Sequence, residues 1–122
     1  MTKTILDVGQ CGVDGPRMTR MLRSQVGVRV ESADTLAEAT EKIAGHRYAL
    51  VLVNRELAFE GTAGVDLVRA MKAAGDATPV MLVSDRADAQ DEAVAAGAVR
   101  GFGKSAMNDP ATVEWIRGAM GA

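Results

Sequence analysis

Three polar residues stand where apolar runs stop. Asn54 closes Tyr48-Ala-Leu-Val-Leu-Val-Asn54, Ser84 closes Pro79-Val-Met-Leu-Val-Ser84, and Lys104 follows Gly97-Ala-Val-Arg-Gly-Phe-Gly103. An amide, a hydroxyl and an ammonium group can together receive an anion. They make no nucleophile for phosphorus out of Asn54, whose nitrogen lone pair is delocalised into a carbonyl with a neutral oxygen. Other reactive types are scarce. His46, the only histidine, lies in Gly45-His-Arg47 without a set of neighbouring ligands, so no metal site is expected. Cys11 is the only cysteine, which excludes an internal disulfide and leaves a reactive thiol without a resolving partner. Ser84, His46 and the aspartates assemble into no Ser/His/Asp set, which argues against a hydrolase.

Gly9, Gly12 and Gly15 follow the first apolar run, and Glu31 comes 22 positions after Gly9, which imitates a dinucleotide-binding fingerprint. The spacing departs from it. The glycines read G-x-x-G-x-x-G, and Pro16 starts a helix after the last of them instead of at the second. A loop that turns the chain is the plainer reading. A small-ligand or nucleotide-binding sensor domain using the Gly9, Gly12 and Gly15 loop is the alternative.

Positioning these residues requires a regular framework. Apolar runs suited to buried strands recur at residues 4–8, 26–30, 48–53, 79–83 and 98–102. Helical periodicity fills the intervals: Met18, Met21 and Leu22 share one face, and Thr35-Leu-Ala-Glu38 has capping-box spacing before Ala39 and Ile43. Val65, Val68 and Met71 line a third helix closed by Gly75. Asp88 is placed to cap a fourth, with Val94 inward and Gly97 as its stop. Asp109-Pro110 opens a fifth, with Val113, Ile116 and Met120 inward. Strict alternation of strand and helix demands right-handed crossovers and a parallel sheet covered on both faces. The expected fold is therefore a doubly wound five-stranded α/β sheet of flavodoxin-like order 2-1-3-4-5, with its functional crevice at the carboxyl ends of the strands.

The 122 residues suffice for a single domain over 1–122 that buries roughly two thirds of its unfolded surface. A net charge of -2 with interspersed signs offers no footprint for a phosphate backbone, so no direct nucleic-acid partner is expected. The start Met1-Thr-Lys lacks an apolar run, and no membrane span is expected; with one cysteine, the expected location is the cytoplasm. The 7 methionines fall mainly on inward positions, where they fill a core short of aromatic rings.

Ile5-Leu-Asp-Val8, the two runs ending at Asn54 and Ser84, Gly64-Val-Asp-Leu67 and Gly97-Ala-Val-Arg-Gly-Phe-Gly-Lys104 together give the chain, over essentially its whole length, a resemblance to the receiver domain of two-component response regulators. In such domains an acidic pair after the first strand and an acceptor aspartate hold magnesium, while a hydroxyl and a lysine engage the phosphoryl oxygens. The resemblance sets the acidic pair on Gly9 and Gln10, or on Gln10 and Cys11 in the other register, and neither supplies a carboxylate. Asp7 is near in sequence, but strand alternation points it differently. The acceptor falls on Asn54, the hydroxyl on Ser84 and the lysine on Lys104. Gly101 stands where an aromatic usually reports the switch, and Ser105 where proline usually follows the lysine. Gly64 comes 10 positions after Asn54 where about eight is usual in the family, and the customary proline of that loop is missing.

The resemblance thus implies a degenerate phosphoacceptor pocket of Gly9, Gln10, Asn54, Ser84 and Lys104, with no metal, no cofactor and no enzymatic activity. A phosphorylation-independent pseudo-receiver in bacterial signal transduction is expected, binding another signalling protein, a covalently linked output domain or a second copy of itself. The family's usual contact surface nominates Ala87, Gln90, Val94, Val99, Arg100, Phe102, Val113 and Trp115. The chain stops at Gly121-Ala122 just past the fifth helix, as a module excised from a longer protein would.

Overall fold

A computed structural model describes residues 2–121. Strands Thr4–Val8 (β1), Arg29–Ala33 (β2), Leu50–Asn54 (β3), Val80–Val83 (β4) and Val99–Phe102 (β5) alternate with helices Asp14–Met21 (α1), Leu36–Gly45 (α2), Val65–Ala73 (α3), Ala87–Ala95 (α4) and Pro110–Ala119 (α5). All pairings are parallel, in the order β2-β1-β3-β4-β5. The fold is the one the alternation predicts.

Side-chain alternation along the strands divides the core into two layers. Leu6, Val8, Val51, Val53, Val80 and Leu82 face α2, α3 and α4, meeting Ala39, Leu67, Met71 and Ala93. Ile5, Leu50, Leu52, Met81 and Val83 face the other way, against Met18, Met21 and Leu22 near α1 and Val113 and Ile116 on α5. Five of the methionines are buried, at 18, 21, 71, 81 and 107.

Local signals act much as their chemistry dictates. Thr35 Oγ1 accepts the Glu38 amide at 3.0 Å, while Glu38 reaches back to the Asp34 amide at 2.6 Å, fixing the entry of α2. Several expectations need correction. The strand expected at 26–30 starts later: Leu22–Val26 forms a π-helical turn that ends at Gly27, whose N–H donates to Leu22 O, so β2 begins at Arg29 and runs to Ala33. Ser24 Oγ bonds the Arg20 carbonyl at 2.7 Å in that turn, a local competitor of regular helix bonding. Helix α1 begins at Asp14 and contains Gly15, so Pro16 does not open it. Asp88 lies inside α4, its carboxylate held by the Arg86 guanidinium at 2.8 and 3.1 Å. Ala93, not Val94, is the inward residue of that helix, because Gln90 and Ala93 share its buried face.

Candidate functional site

The carboxyl ends of β3 and β4 bring Asn54, Ser84 and Lys104 to one shallow crevice of about 170 Å³. Each is already engaged. Asn54 donates its amide hydrogen to the Glu56 carbonyl at 2.7 Å. Ser84 Oγ accepts the Arg86 N–H at 3.1 Å, closing the turn into α4. Lys104, in a 3₁₀ turn (Lys104–Ala106) just after β5, places Nζ at 2.7 Å from Asp14 Oδ2 in the first turn of α1. That bond, with a weaker one from the Cys11 thiol at 3.2 Å, holds Asp14 below the usual carboxylate range. Nothing in the sequence singles out Asp14 as the partner of Lys104.

Gly9 and Gln10 do not join this crevice, which corrects the expected five-residue pocket. The segment between β3 and α3 folds into a small hairpin, bridged at Glu56 and Ala63, that lies over the end of β1. Ala58 donates to the Gly9 carbonyl at 2.9 Å, and Leu57, fully buried, packs onto the Gly9 backbone. Gly9 has φ +76°, and a Cβ there would come within 2.6 Å of Leu57 Cγ. Glycine is thus required twice over, by the left-handed backbone and by the leucine above it. Glu60 completes the hairpin's attachment by accepting the Leu36 amide of α2 at 2.8 Å. The unusual separation of Asn54 and Gly64 is the sequence signal of this cover.

Gln10 and Asp7 instead line a groove of about 800 Å³ beside α1. Asp7 sits on the Ile5 side of β1, as alternation requires, and burial pushes its pKa up to about 7, with Gln10 and Lys104 opposing the rise. Although Gln10 lies near enough to Asp7 to exert that effect, Asp7 Oδ1 and both polar atoms of the Gln10 amide are buried without a hydrogen bond of ordinary geometry. Glu31, the acidic residue of the imitated nucleotide fingerprint, lies inside β2 and accepts the Tyr48 hydroxyl at 2.8 Å.

A second network ties α4 to the sheet. Strand β5 carries a register shift opposite β4 between the pairs Met81 with Val99 and Val83 with Phe102. Gly101 sits in that irregularity, where a Cβ would meet the Leu82 carbonyl at 1.9 Å. No aromatic side chain fits there without moving the backbone. The buried Gln90 amide satisfies the displaced groups, donating to Leu82 O and Ser84 O at 2.9 and 3.1 Å and accepting the Gly101 N–H at 2.8 Å. Gln90, Phe102 and Val113 are therefore buried and drop out of the nominated contact face. Ala87, Val94, Arg100 and Trp115 remain exposed and Val99 partly so. Arg100 pairs with Asp91 of α4. Trp115 is 51% exposed, yet its indole N–H donates to the Arg100 carbonyl at 2.6 Å, which fixes the ring against β5.

Residues 5–110 match the family described as the response regulator receiver domain. The chain belongs to that family. Among solved structures, a putative response regulator from Chloroflexus aurantiacus J-10-fl superposes with a TM-score of 0.86 at 17% identity, each chain covered over 100% of its length. A CheY-like receiver domain protein from Methanospirillum hungatei JF-1 gives 0.83 at 21% identity, covering 99% of this chain and 95% of that one. NtrX from Brucella abortus gives 0.84 at 21% identity; 99% of this chain spans only 27% of it. At these identities the likeness is one of fold. The comparison with curated proteins finds no match.

The magnesium that such receivers use finds a poor donor set. Gly9 offers no side chain, Gln10 and Asn54 offer amides, and the Asp14 carboxylate is taken by Lys104. Magnesium held on a protein generally takes one or two carboxylates beside water and phosphate oxygens. Among the described residues, no three His, Cys, Asp or Glu side chains cluster closely enough to hold a metal ion. The positions that the family gives to the ion thus supply amides and no free carboxylate; Glu56 and Asp85 are the carboxylates that line the Asn54 crevice.

Proposed function

We propose that this receiver domain is a pseudo-receiver, acting in signal transduction by phosphorylation-independent protein-protein interaction and not as an enzyme. The carrying observation is the Lys104 to Asp14 ion pair beside an amide at Asn54. A phosphorylated receiver draws its lysine to the phosphoryl group; here an internal carboxylate already neutralises that lysine, and an amide stands at the acceptor's position. A ligand shifts a two-state equilibrium only by its differential affinity for the two states, and with an amide at Asn54 no covalent phosphoryl group forms there to bias one of them. The Gln90 bridge supports a single arrangement of α4 and β5.

The working surface on this reading is the exposed part of α4, β5 and α5, with Val94 and Trp115 as apolar anchors around Arg100 and Asp91. A half-exposed tryptophan with its N–H already satisfied suits an interface centre, since it loses no hydrogen bond on burial. The partner is another signalling protein in the cytoplasm, an output domain on the same polypeptide, or a second copy. Pull-down and self-association measured with and without acetyl phosphate test the reading. Arg100→Glu should weaken association while costing no more than about 1 kcal/mol of stability, the scale of the exposed Arg100 pair with Asp91, and the phosphodonor should change neither result. If Ser84→Ala abolishes association and Arg100→Glu leaves it intact, the crevice is the interface and this face is not.

A further inference from the structure

The groove beside α1 is the largest concavity described above, and it holds buried polar groups that the protein leaves unsatisfied. Asp7 is 3% exposed and Gln10 is 7% exposed; both line the groove, and although the Gln10 side chain lies near enough to Asp7 to oppose its raised pKa, neither Asp7 Oδ1 nor the Gln10 amide makes a hydrogen bond of ordinary geometry. Buried polar groups are satisfied in the great majority of cases, and each exception calls for an explanation. Leaving one unpaired costs its full desolvation penalty, whereas an apolar side chain of similar shape would avoid the loss. A groove floor built this way is complementary to something that brings both a donor and an acceptor.

The walls narrow the choice. Phe59, 66% exposed in the hairpin over β1, lines the groove together with Pro16 of α1. A large exposed ring beside a concave apolar surface is the usual setting for a planar ligand body. Arg20 and Arg23 follow Pro16 at helical spacing and line the groove with it; both guanidinium groups are exposed and make no ion pair among the described residues, and Asp34 is the acidic residue that lines the groove besides Asp7. Guanidinium groups pair bidentately with carboxylate or phosphate.

We infer that this groove binds a small organic anion with a planar apolar body: the ring against Phe59 and Pro16, its polar edge at Gln10 and Asp7, and its carboxylate or phosphate at Arg20 and Arg23. The site is separate from the Asn54 crevice and from the α4, β5 and α5 surface. The volume suits the ligand class, since small-molecule pockets run from about 300 to about 1,000 Å³.

Amide NMR titration of the whole chain with indole-3-carboxylate and, separately, with adenosine 5′-monophosphate tests the site and distinguishes the two anion types. Indole and inorganic phosphate serve as half-ligands. At least one full probe should give saturable shifts centred on Gln10, Thr19, Arg23 and Phe59, at concentrations about tenfold or more below either half-ligand. Arg20→Ser with Arg23→Ser should weaken that binding about tenfold, and Phe59→Ala should also weaken it, with the fold intact because all three side chains are exposed. Gln10→Leu should abolish binding and raise the melting temperature, since it removes an unsatisfied amide. Absence of saturation by both probes up to millimolar concentration overturns the inference, as does equal binding of the half-ligands or indifference to loss of the two arginines.

Discussion

Lys104 and Asp14, 90 positions apart in the chain, meet at 2.7 Å across the top of the sheet. The lysine side chain is 33% exposed and the aspartate 15%, so the pair is only partly shielded from water and its net contribution is modest. Its importance is electrostatic: the cation of the crevice is neutralised from within by a carboxylate on α1.

Because the Lys104 hydrogen bond is the main cause holding Asp14 below its ordinary value of 3.8, the pair's contribution is present above that value and is lost as pH falls through the lower folded-state value. Asp14→Asn should therefore cost about 1 kcal/mol at neutral pH. Wild type and variant should converge in stability in strong acid. Urea denaturation at a series of pH values checks both statements; a constant difference down to the lowest pH would remove the pair as its cause.

Asp7 titrates in the opposite sense. Burial raises its folded-state pKa from 3.8 to about 7, so the native state binds its proton more tightly than the unfolded chain does. Stability is then fully present below the unfolded value and is lost as pH rises towards the folded one. Asp7→Asn should stabilise the protein relative to wild type, by a margin that grows by about 3 kcal/mol between about pH 5 and about pH 8, at 1.36 kcal/mol per unit. The same denaturation series measures it, and a margin independent of pH would contradict the raised value.

Gly9 tests whether the hairpin over β1 excludes an acidic residue there. Gly9→Asp forces a side chain into a left-handed backbone and against Leu57, and should destabilise by about 2–4 kcal/mol. Pairing it with Leu57→Ala should recover only the steric part of a loss made of two physically separate costs. Calorimetric melting of the two single variants and the double variant resolves them, and a fully tolerated Gly9→Asp would mean that the hairpin yields.

Gln90→Ala should lower stability by at least about 2 kcal/mol, because it strands buried backbone groups of Leu82, Ser84 and Gly101. Amide exchange at Gly101 should accelerate with it. Protection unchanged at Gly101 would show that the bridge is dispensable.

The framework was legible because its signals are local and repeated: five apolar runs, glycine stops and a threonine cap fix the alternation, and alternation fixes a parallel sheet. That Asn54, Ser84 and Lys104 share one crevice was legible too, since each stands at or within two residues of a strand's carboxyl end. The rest depends on tertiary contact. Nothing near Lys104 names Asp14, which reaches it only because α1 starts two residues before Pro16. Gln90 reads as an ordinary surface residue of α4 until the irregularity at Gly101 creates backbone groups for it to satisfy. The run 26–30 imitates a strand because Val26 and Val28 do pack inward, yet Gly27 between them takes a left-handed turn that no strand tolerates.

The most direct test of the central claim is the amide spectrum of the isotopically labelled protein titrated with beryllofluoride and magnesium. The account predicts no saturable change at Asn54, Ser84 or Lys104, no adduct by intact mass after incubation with acetyl phosphate, and the same outcome for Asn54→Asp alone, since Gly9 and Gln10 still leave the ion without carboxylates. Saturable shifts centred on Asn54 and Lys104, or a phosphoryl adduct on the wild-type chain, would contradict it.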